Sequence, residues 1–130
     1  DGYLRKIDYL PHDEVVRVQQ QSQVLLLIIN NTPNAAMILT GKFFEYLAAG
    51  RPVLCIGPEN GEAARILNET RAGLLADHGN KETLKKHIFH FYSRYRTGTL
   101  ESGTSGIEKF SRKELTRSLA QILDNLNANR

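Results

Sequence analysis

The chain has 130 residues, which is enough for one domain with a substantial core. Its 41% hydrophobic and 24% charged residues are typical of globular proteins and exclude a disordered or fibrous chain. A formal net charge of +3 and a pI near 9.1 suit anionic ligands or an acidic membrane surface, but are too small to indicate nucleic-acid binding. We therefore expect anionic partners, and no nucleic acid among them.

The single cysteine, Cys55, excludes an internal disulfide and a cysteine-rich zinc site. It lies in an apolar run, which predicts a buried and unreactive thiol rather than a nucleophile. No apolar stretch approaches the ~20 residues that a membrane helix needs, and no signal peptide is visible. The expected compartment is therefore the cytoplasm, and nothing in the pattern requires a metal or another cofactor.

Short apolar runs alternate with amphipathic segments along the chain. We predict strands at 3–10, 24–29, 52–56 and 73–76, and helices from 12 onwards and at 40–49, 62–70 and 81–95. In the first helix Val15 and Val18 are expected to face inward and Gln19 to face water. The run at 24–29 is wholly apolar, which is typical of a strand covered on both faces. A loop at 97–106, expected to be mobile, leads to a closing amphipathic helix within 107–128.

This alternation of strands and helices predicts an α/β fold. We expect one domain over residues 1–130, Rossmann-like and three-layered, around a mainly parallel sheet of about four strands. In such sheets ligands bind beyond the carboxyl ends of the strands. The loops predicted to lie there are 10–12, 30–39, 57–61 and 77–80.

The helix predicted at 40–49 carries the main candidate site. Thr40 is expected to cap its start and Gly50 to end it in a left-handed conformation, with Phe44, Leu47 and Ala48 facing the core. Lys42 and Glu45 are three residues apart, so both project from one side of the helix. In one interpretation they form an exposed ion pair, worth about a few tenths of a kcal/mol. In the other they divide a ligand: the Lys42 ammonium and the amides near Thr40 and Gly41 hold a pyrophosphate, and Glu45 accepts hydrogen bonds from a ribose diol. The residues alone leave the two interpretations open.

Several better-known nucleotide motifs are absent from the sequence. A Walker motif would need glycine at Ala36 and serine or threonine at Phe43, and no Gly-x-Gly-x-x-Gly turn follows a predicted strand. His12 follows the first predicted strand and either lines the site or caps the next helix. His87 and His90 have no third ligand at a suitable spacing, so solvated histidines are favoured over a metal pair.

The segment TGKFFEYLAAGRPVLCI contains a longer pattern, Lys-x-x-Glu-Tyr-x-Ala-x-Gly-x-Pro-Val. Together with the following GPENGEAARILNETRAGLLAD, it resembles the donor-binding C-terminal domain of GT-B fold glycosyltransferases. The retaining group that includes glycogen synthase-like and lipopolysaccharide or capsule sugar transferases is the most similar. The resemblance spans about Tyr3 to Asp77, and the pattern is complete at Lys42, Glu45, Tyr46, Ala48, Gly50, Pro52 and Val53.

The resemblance implies an enzyme that transfers a hexose from a nucleoside diphosphate sugar to an acceptor. Glu45 would bind the ribose hydroxyls of the donor, and the loop that ends at His12 would lie near the base. The start of the helix would meet the pyrophosphate or the donor sugar through Thr40, Gly41 and Lys42. Many members carry a second glutamate eight positions before the ribose glutamate, in contact with the donor sugar. That position is Met37 in this chain.

Relative to a full domain of that family, the chain lacks two βα units and the N-terminal acceptor domain. We therefore expect a part of a longer enzyme that is inactive alone. Its sheet has either a rearranged edge or an exposed edge that pairs with a second copy, by dimerisation or strand exchange. The basic helix within 81–96 is expected to touch the inner face of a membrane. The alternative hypothesis is a non-catalytic α/β interaction or regulatory module, which needs no ligand.

Overall fold

Three short parallel strands form the centre of the computed structural model, which describes residues 2–128. They are β1 (Leu25–Ile28), β2 (Val53–Ile56) and β3 (Gly73–Ala76), and they neighbour one another in that order. In the register of the sheet Leu25 pairs with Val53, and Val53 pairs with Gly73.

Helices alternate with these strands along the chain. They are α1 (His12–Gln21), α2 (Gly41–Ala48), α3 (Glu62–Thr70), α4 (Lys81–Arg96) and α5 (Arg112–Ala128), with 3-10 turns at Ala35–Met37 and Ile107–Phe110. The predicted Rossmann-like α/β fold is confirmed.

One face of the sheet packs against α2 and α3. Side chains alternate between the two faces of a strand, and Leu27 and Cys55 are paired across β1 and β2 on this face. They join a cluster of buried apolar side chains that includes Phe43 and Leu47 of α2 and Ile66 and Leu67 of α3. This cluster is the core of the domain.

The opposite face of the sheet is covered only in part. Leu54 of β2 is buried on this side, where it lines a groove with Phe91 of α4. The side chains of β1 on the same face, Leu26 and Ile28, are 52% and 58% exposed. The prediction that this apolar run is covered on both faces is therefore wrong, because α4 packs mainly over β3 and β2 and leaves this side of β1 exposed.

The strand predicted at 3–10 does not form, so the sheet has three strands rather than about four. Tyr3 and Tyr9, which favoured a strand by composition, are 105% and 93% exposed. A strand gains its stability from a hydrogen-bonded neighbour and from packing, and local β propensity does not replace either.

The closing helix forms, but it does not pack on the domain as its amphipathic pattern suggested. Residues 107–110 are a 3-10 turn, and α5 begins at Arg112 and has no buried residue up to Ala128.

Before this helix, the Gly103 amide donates a hydrogen bond to the Arg71 carbonyl at 2.9 Å. The mobility of 97–106 stays a prediction.

Cys55 is a free and fully buried thiol, as predicted. Burial raises the pKa of Cys55 from 9.0 to about 12, because the apolar core disfavours the thiolate. The thiol is therefore protonated at neutral pH, and it serves the protein as a small apolar side chain.

Candidate functional site

The candidate site is built around the first turns of α2. Thr40 has extended backbone angles, and its Oγ1 accepts a hydrogen bond from the Phe43 amide at 3.3 Å. The helix is followed by Gly50 in the left-handed region at a φ of +66°, where a residue without Cβ is favoured. The predicted cap and the predicted glycine stop are both confirmed.

The residues that α2 buries differ from the predicted ones. We expected Phe44, Leu47 and Ala48 to face the core, but Phe43 and Leu47 are buried and Ala48 is exposed. Phe44 is half-buried and lies edge-on to Phe43, with ring centroids 5.5 Å apart. As a result, the side of α2 that carries Lys42 and Glu45 faces solvent and α1.

Two grooves between α1 and α2 bring three of the predicted site residues together. The larger groove, of about 330 Å³, is lined by Lys42, Glu45 and Tyr46 from α2. The smaller, of about 170 Å³, is lined by His12 from α1 and again by Glu45. Glu45 thus lies where both grooves meet, and His12 belongs to the candidate site.

Lys42 and Glu45 do not neutralise each other. Both residues are exposed, and the ion pairs within 4.0 Å in residues 2–128 do not include one between them. The interpretation of these two residues as an intrahelical ion pair is therefore not realised in the structure. Their charges remain available for a ligand of mixed character, such as a phosphate joined to a diol.

The structure does not bring the other three predicted residues into these grooves. In the described part of the chain, neither groove is lined by Met37, Thr40 or Gly41. The Thr40 hydroxyl is engaged as the helix cap, and Met37 is 77% exposed at the end of its 3-10 turn. A Cβ on Gly41 would meet no atom within 4 Å, so the space beside this glycine is open to a ligand.

The loops after β1, β2 and β3 converge at the carboxyl edge of the sheet, as the parallel topology predicts. A Cβ on Gly61 would lie 3.0 Å from the Ala36 carbonyl oxygen, so the loop after β2 packs closely on the turn after β1. His78, after β3, places its Nε2 at 2.6 Å from the carbonyl oxygen of Ile29. The loop at 10–12 follows no strand, and it borders the larger α1/α2 groove instead.

Gln19 is a site residue that the sequence analysis missed. We expected it to face water, but it is only 9% exposed and lines both grooves. The helical spacing of 12, 15, 16 and 19 would have placed it on the same face as His12 and Val15. Its polar character was the misleading signal, because a glutamine amide can be buried at the floor of a groove that opens to solvent.

Other polar residues are engaged in structural contacts. His87 places its Nε2 at 3.0 Å from the Leu75 carbonyl oxygen, and within residues 2–128 no group of three His, Cys, Asp or Glu side chains is arranged to hold a metal. Arg65 contacts Glu62 at 2.8 Å and holds the pKa of that carboxyl below its usual value. These residues add no catalytic group to the α1/α2 site.

Comparisons of the chain with protein-family models, with curated proteins and with solved structures gave no match. No helix within residues 2–128 is long and apolar enough to cross a membrane. The features of the chain that bear on its function are therefore the motif at α2 and the geometry of the grooves beside it.

Proposed function

We propose that the chain is the nucleotide-sugar-binding part of a glycosyltransferase, and that the α1/α2 grooves hold the donor. The observation that carries this proposal is the placement of Lys42 and Glu45, which line one groove without pairing with each other. It is supported by the complete Lys42-to-Val53 pattern on a βα framework. The larger groove has about 330 Å³, within the range of about 300–1,000 Å³ that is usual for small-molecule sites.

The two charged residues would bind different parts of the donor. A carboxylate accepts hydrogen bonds from both hydroxyls of a ribose, and this is the role of Glu45. An ammonium attracts the diphosphate, and this is the role of Lys42, assisted by the free amides at the start of α2. Lys42 and these amides would also stabilise the negative charge that develops on the departing diphosphate during hexose transfer.

The proposed activity belongs to a longer enzyme. The nucleoside diphosphate sugar is the donor substrate, no cofactor is proposed, and an acceptor domain must supply the second substrate. We assign no catalytic base within this chain. The donor chemistry favours a cytoplasmic location, and this chain alone is expected to bind the donor and transfer nothing.

Replacing Glu45 by alanine tests the ribose role. Hydrogen bonds to a charged group contribute about 1.5–3 kcal/mol, so the substitution is expected to weaken nucleotide binding roughly 10- to 100-fold. The measurement is a calorimetric titration with UDP, GDP and ADP. Glu101→Ala, which removes an exposed carboxylate from the loop before the 3-10 turn at Ile107–Phe110, is the matched control. Equal affinity in the Glu45→Ala protein and the unmodified chain would rule out this role.

We further propose that one face of α4 contacts an acidic membrane surface. Phe89 is 69% exposed, and helical spacing places it on the same face as Lys85, Lys86 and Arg96. Co-sedimentation with anionic vesicles is expected, and it should weaken as salt is raised or when Lys85 and Lys86 are both changed to glutamate. Neutral vesicles serve as the control. Retention on anionic vesicles that neither salt nor the double variant reduces would argue against this contact.

A non-catalytic interaction module remains the second candidate function. The observation in its favour is the exposed apolar side of α5, which no element of the described chain covers. The two functions separate in a thermal-denaturation experiment. A rise in Tm with a nucleotide supports the glycosyltransferase, whereas an unchanged Tm with all nucleotides supports the interaction module.

A further inference from the structure

One face of α5 carries a continuous apolar stripe. Its five side chains, each between 53% and 60% exposed, are Leu115, Leu119, Ile122, Leu123 and Leu126. Helical spacing places Arg117 and Asp124 on the side of the helix away from the stripe. The residues on either side of the middle of the stripe are uncharged. A stripe of this length exposed to water indicates a protein interface.

A second apolar surface lies on the face of the sheet that α4 covers in part. A groove of about 250 Å³ runs between the strands and α4, where Ile88, Tyr92 and Tyr95 are 50%, 53% and 52% exposed. The bare side chains Leu26 and Ile28 extend the same face over β1. We call this surface the β1/α4 groove. In a sheet whose face is fully covered, a second helix would occupy this surface beside α4.

The two surfaces match in length and spacing. On one face of α4 the apolar positions are Leu84, Ile88, Phe91, Tyr92 and Tyr95, and along the α5 stripe the intervals between successive positions are the same. Both series span about 16 Å at a rise of about 1.5 Å per residue. The two helices can therefore lie side by side over β1 with their apolar faces in contact along their whole length.

The α5 helix cannot fill the groove of its own chain without losing existing contacts. The 3-10 turn directly before it packs on the α2 and α3 side of the sheet, where Phe110 lies 6.1 Å from the ring of Phe44. Lys109 in the same turn forms an ion pair with Glu69 of α3. The β1/α4 groove lies on the opposite face of the sheet. A second copy offers the same groove with no such restriction.

We propose that two copies of this chain form a symmetric dimer in which α5 of each copy occupies the β1/α4 groove of the other. Ten half-exposed apolar side chains then meet at each of two equivalent contacts. At roughly 50 Å² for each side chain, the dimer buries about 1,000 Å², which reaches the lower limit of about 1,000 Å² for a biological interface. This arrangement covers both exposed apolar surfaces at once, whereas pairing of α5 with α5 would leave β1 bare.

Sedimentation equilibrium of the full chain over a range of concentrations tests the proposal. The unmodified chain is expected to dimerise. Leu119→Lys on α5 and Ile88→Glu on α4 are each expected to raise the dimer dissociation constant at least roughly a hundredfold, because each homodimer would bury the new charge twice. An equimolar mixture of the two variants should dimerise again, because one contact is then unmodified and the other pairs lysine with glutamate.

Gln121→Lys and Lys86→Glu are the matched controls, because helical spacing places both on the sides away from the proposed contact. Both are expected to dimerise like the unmodified chain, and circular dichroism should show every variant folded. A chain that is monomeric at all concentrations would overturn the proposal. So would a dimer that Ile88→Glu leaves intact, since this outcome indicates pairing of α5 with α5 or pairing at the edge of β1.

Discussion

Replacing Phe43 by alanine is expected to lower the free energy of unfolding by about 3–5 kcal/mol. Phe43 is 1% exposed in the cluster between α2, α3 and the sheet, and among residues 2–128 no other side chain so fully buried is larger. Its removal costs the transfer free energy of the ring and leaves a cavity that the close-packed surroundings fill only in part. Denaturant unfolding followed by circular dichroism measures the change.

Phe89→Ala is the matched control for this experiment. The same atoms are removed from a side chain that is 69% exposed, so a change within about 0.5 kcal/mol is expected. If the two variants were equally stable, Phe43 would not lie in the core of the domain. That outcome would favour a core-facing side of α2 centred on Phe44.

Gly73→Ala is expected to destabilise the protein by about 3 kcal/mol or more, or to prevent folding. A Cβ at this position would lie 2.1 Å from the Val53 carbonyl oxygen, and the two residues are paired between β2 and β3. Because the obstructing atom belongs to the backbone of the central strand, no side-chain rotation relieves the contact. The strands would have to separate at their first paired residues.

Gly79→Ala controls for the loss of glycine itself. A Cβ there would meet no atom within 4 Å, so its effect on thermal unfolding should be small. A Gly73→Ala protein with the Tm of the unmodified chain would show that β3 does not approach β2 as closely as described.

The parts of the fold that the sequence predicted are those with local signals. The start of α2 depends on one threonine and its end on one glycine, and both effects act within a few residues. The apolar runs of β1 and β2 and the alternation of strands with helices are visible without any tertiary information. These signals were sufficient for a parallel α/β sheet.

The errors concern what each element packs against. The residues at 3–10 have the composition of a strand, but no backbone group in the described part of the chain, 2–128, forms a hydrogen bond with theirs. The apolar pattern identified the exposed stripe of α5 correctly as one face, but a pattern cannot state which surface will cover it. The exposure of Leu26 and Ile28 was missed for the same reason, since a wholly apolar run does not reveal that no helix covers one of its faces.

The candidate site, like the fold, was predicted only where the signal is local. The spacing of Lys42 and Glu45 places them on one side of a helix, and this follows from helix geometry alone. The contribution of α1 is tertiary, so His12 remained ambiguous and Gln19 was assigned to solvent. Whether two nearby charges pair with each other or stay separate depends on side-chain positions, which the sequence does not contain.

The strands of this sheet occupy space in the order in which they occur along the chain. Each pairing therefore closes a loop that contains a single crossover helix, and closing a loop of that size costs little entropy compared with longer ones. During synthesis β2 can add to β1, and β3 to β2, as each strand leaves the ribosome. The helix α5 is made only after this sheet, when the groove between β1 and α4 of a neighbouring molecule is already available to receive it.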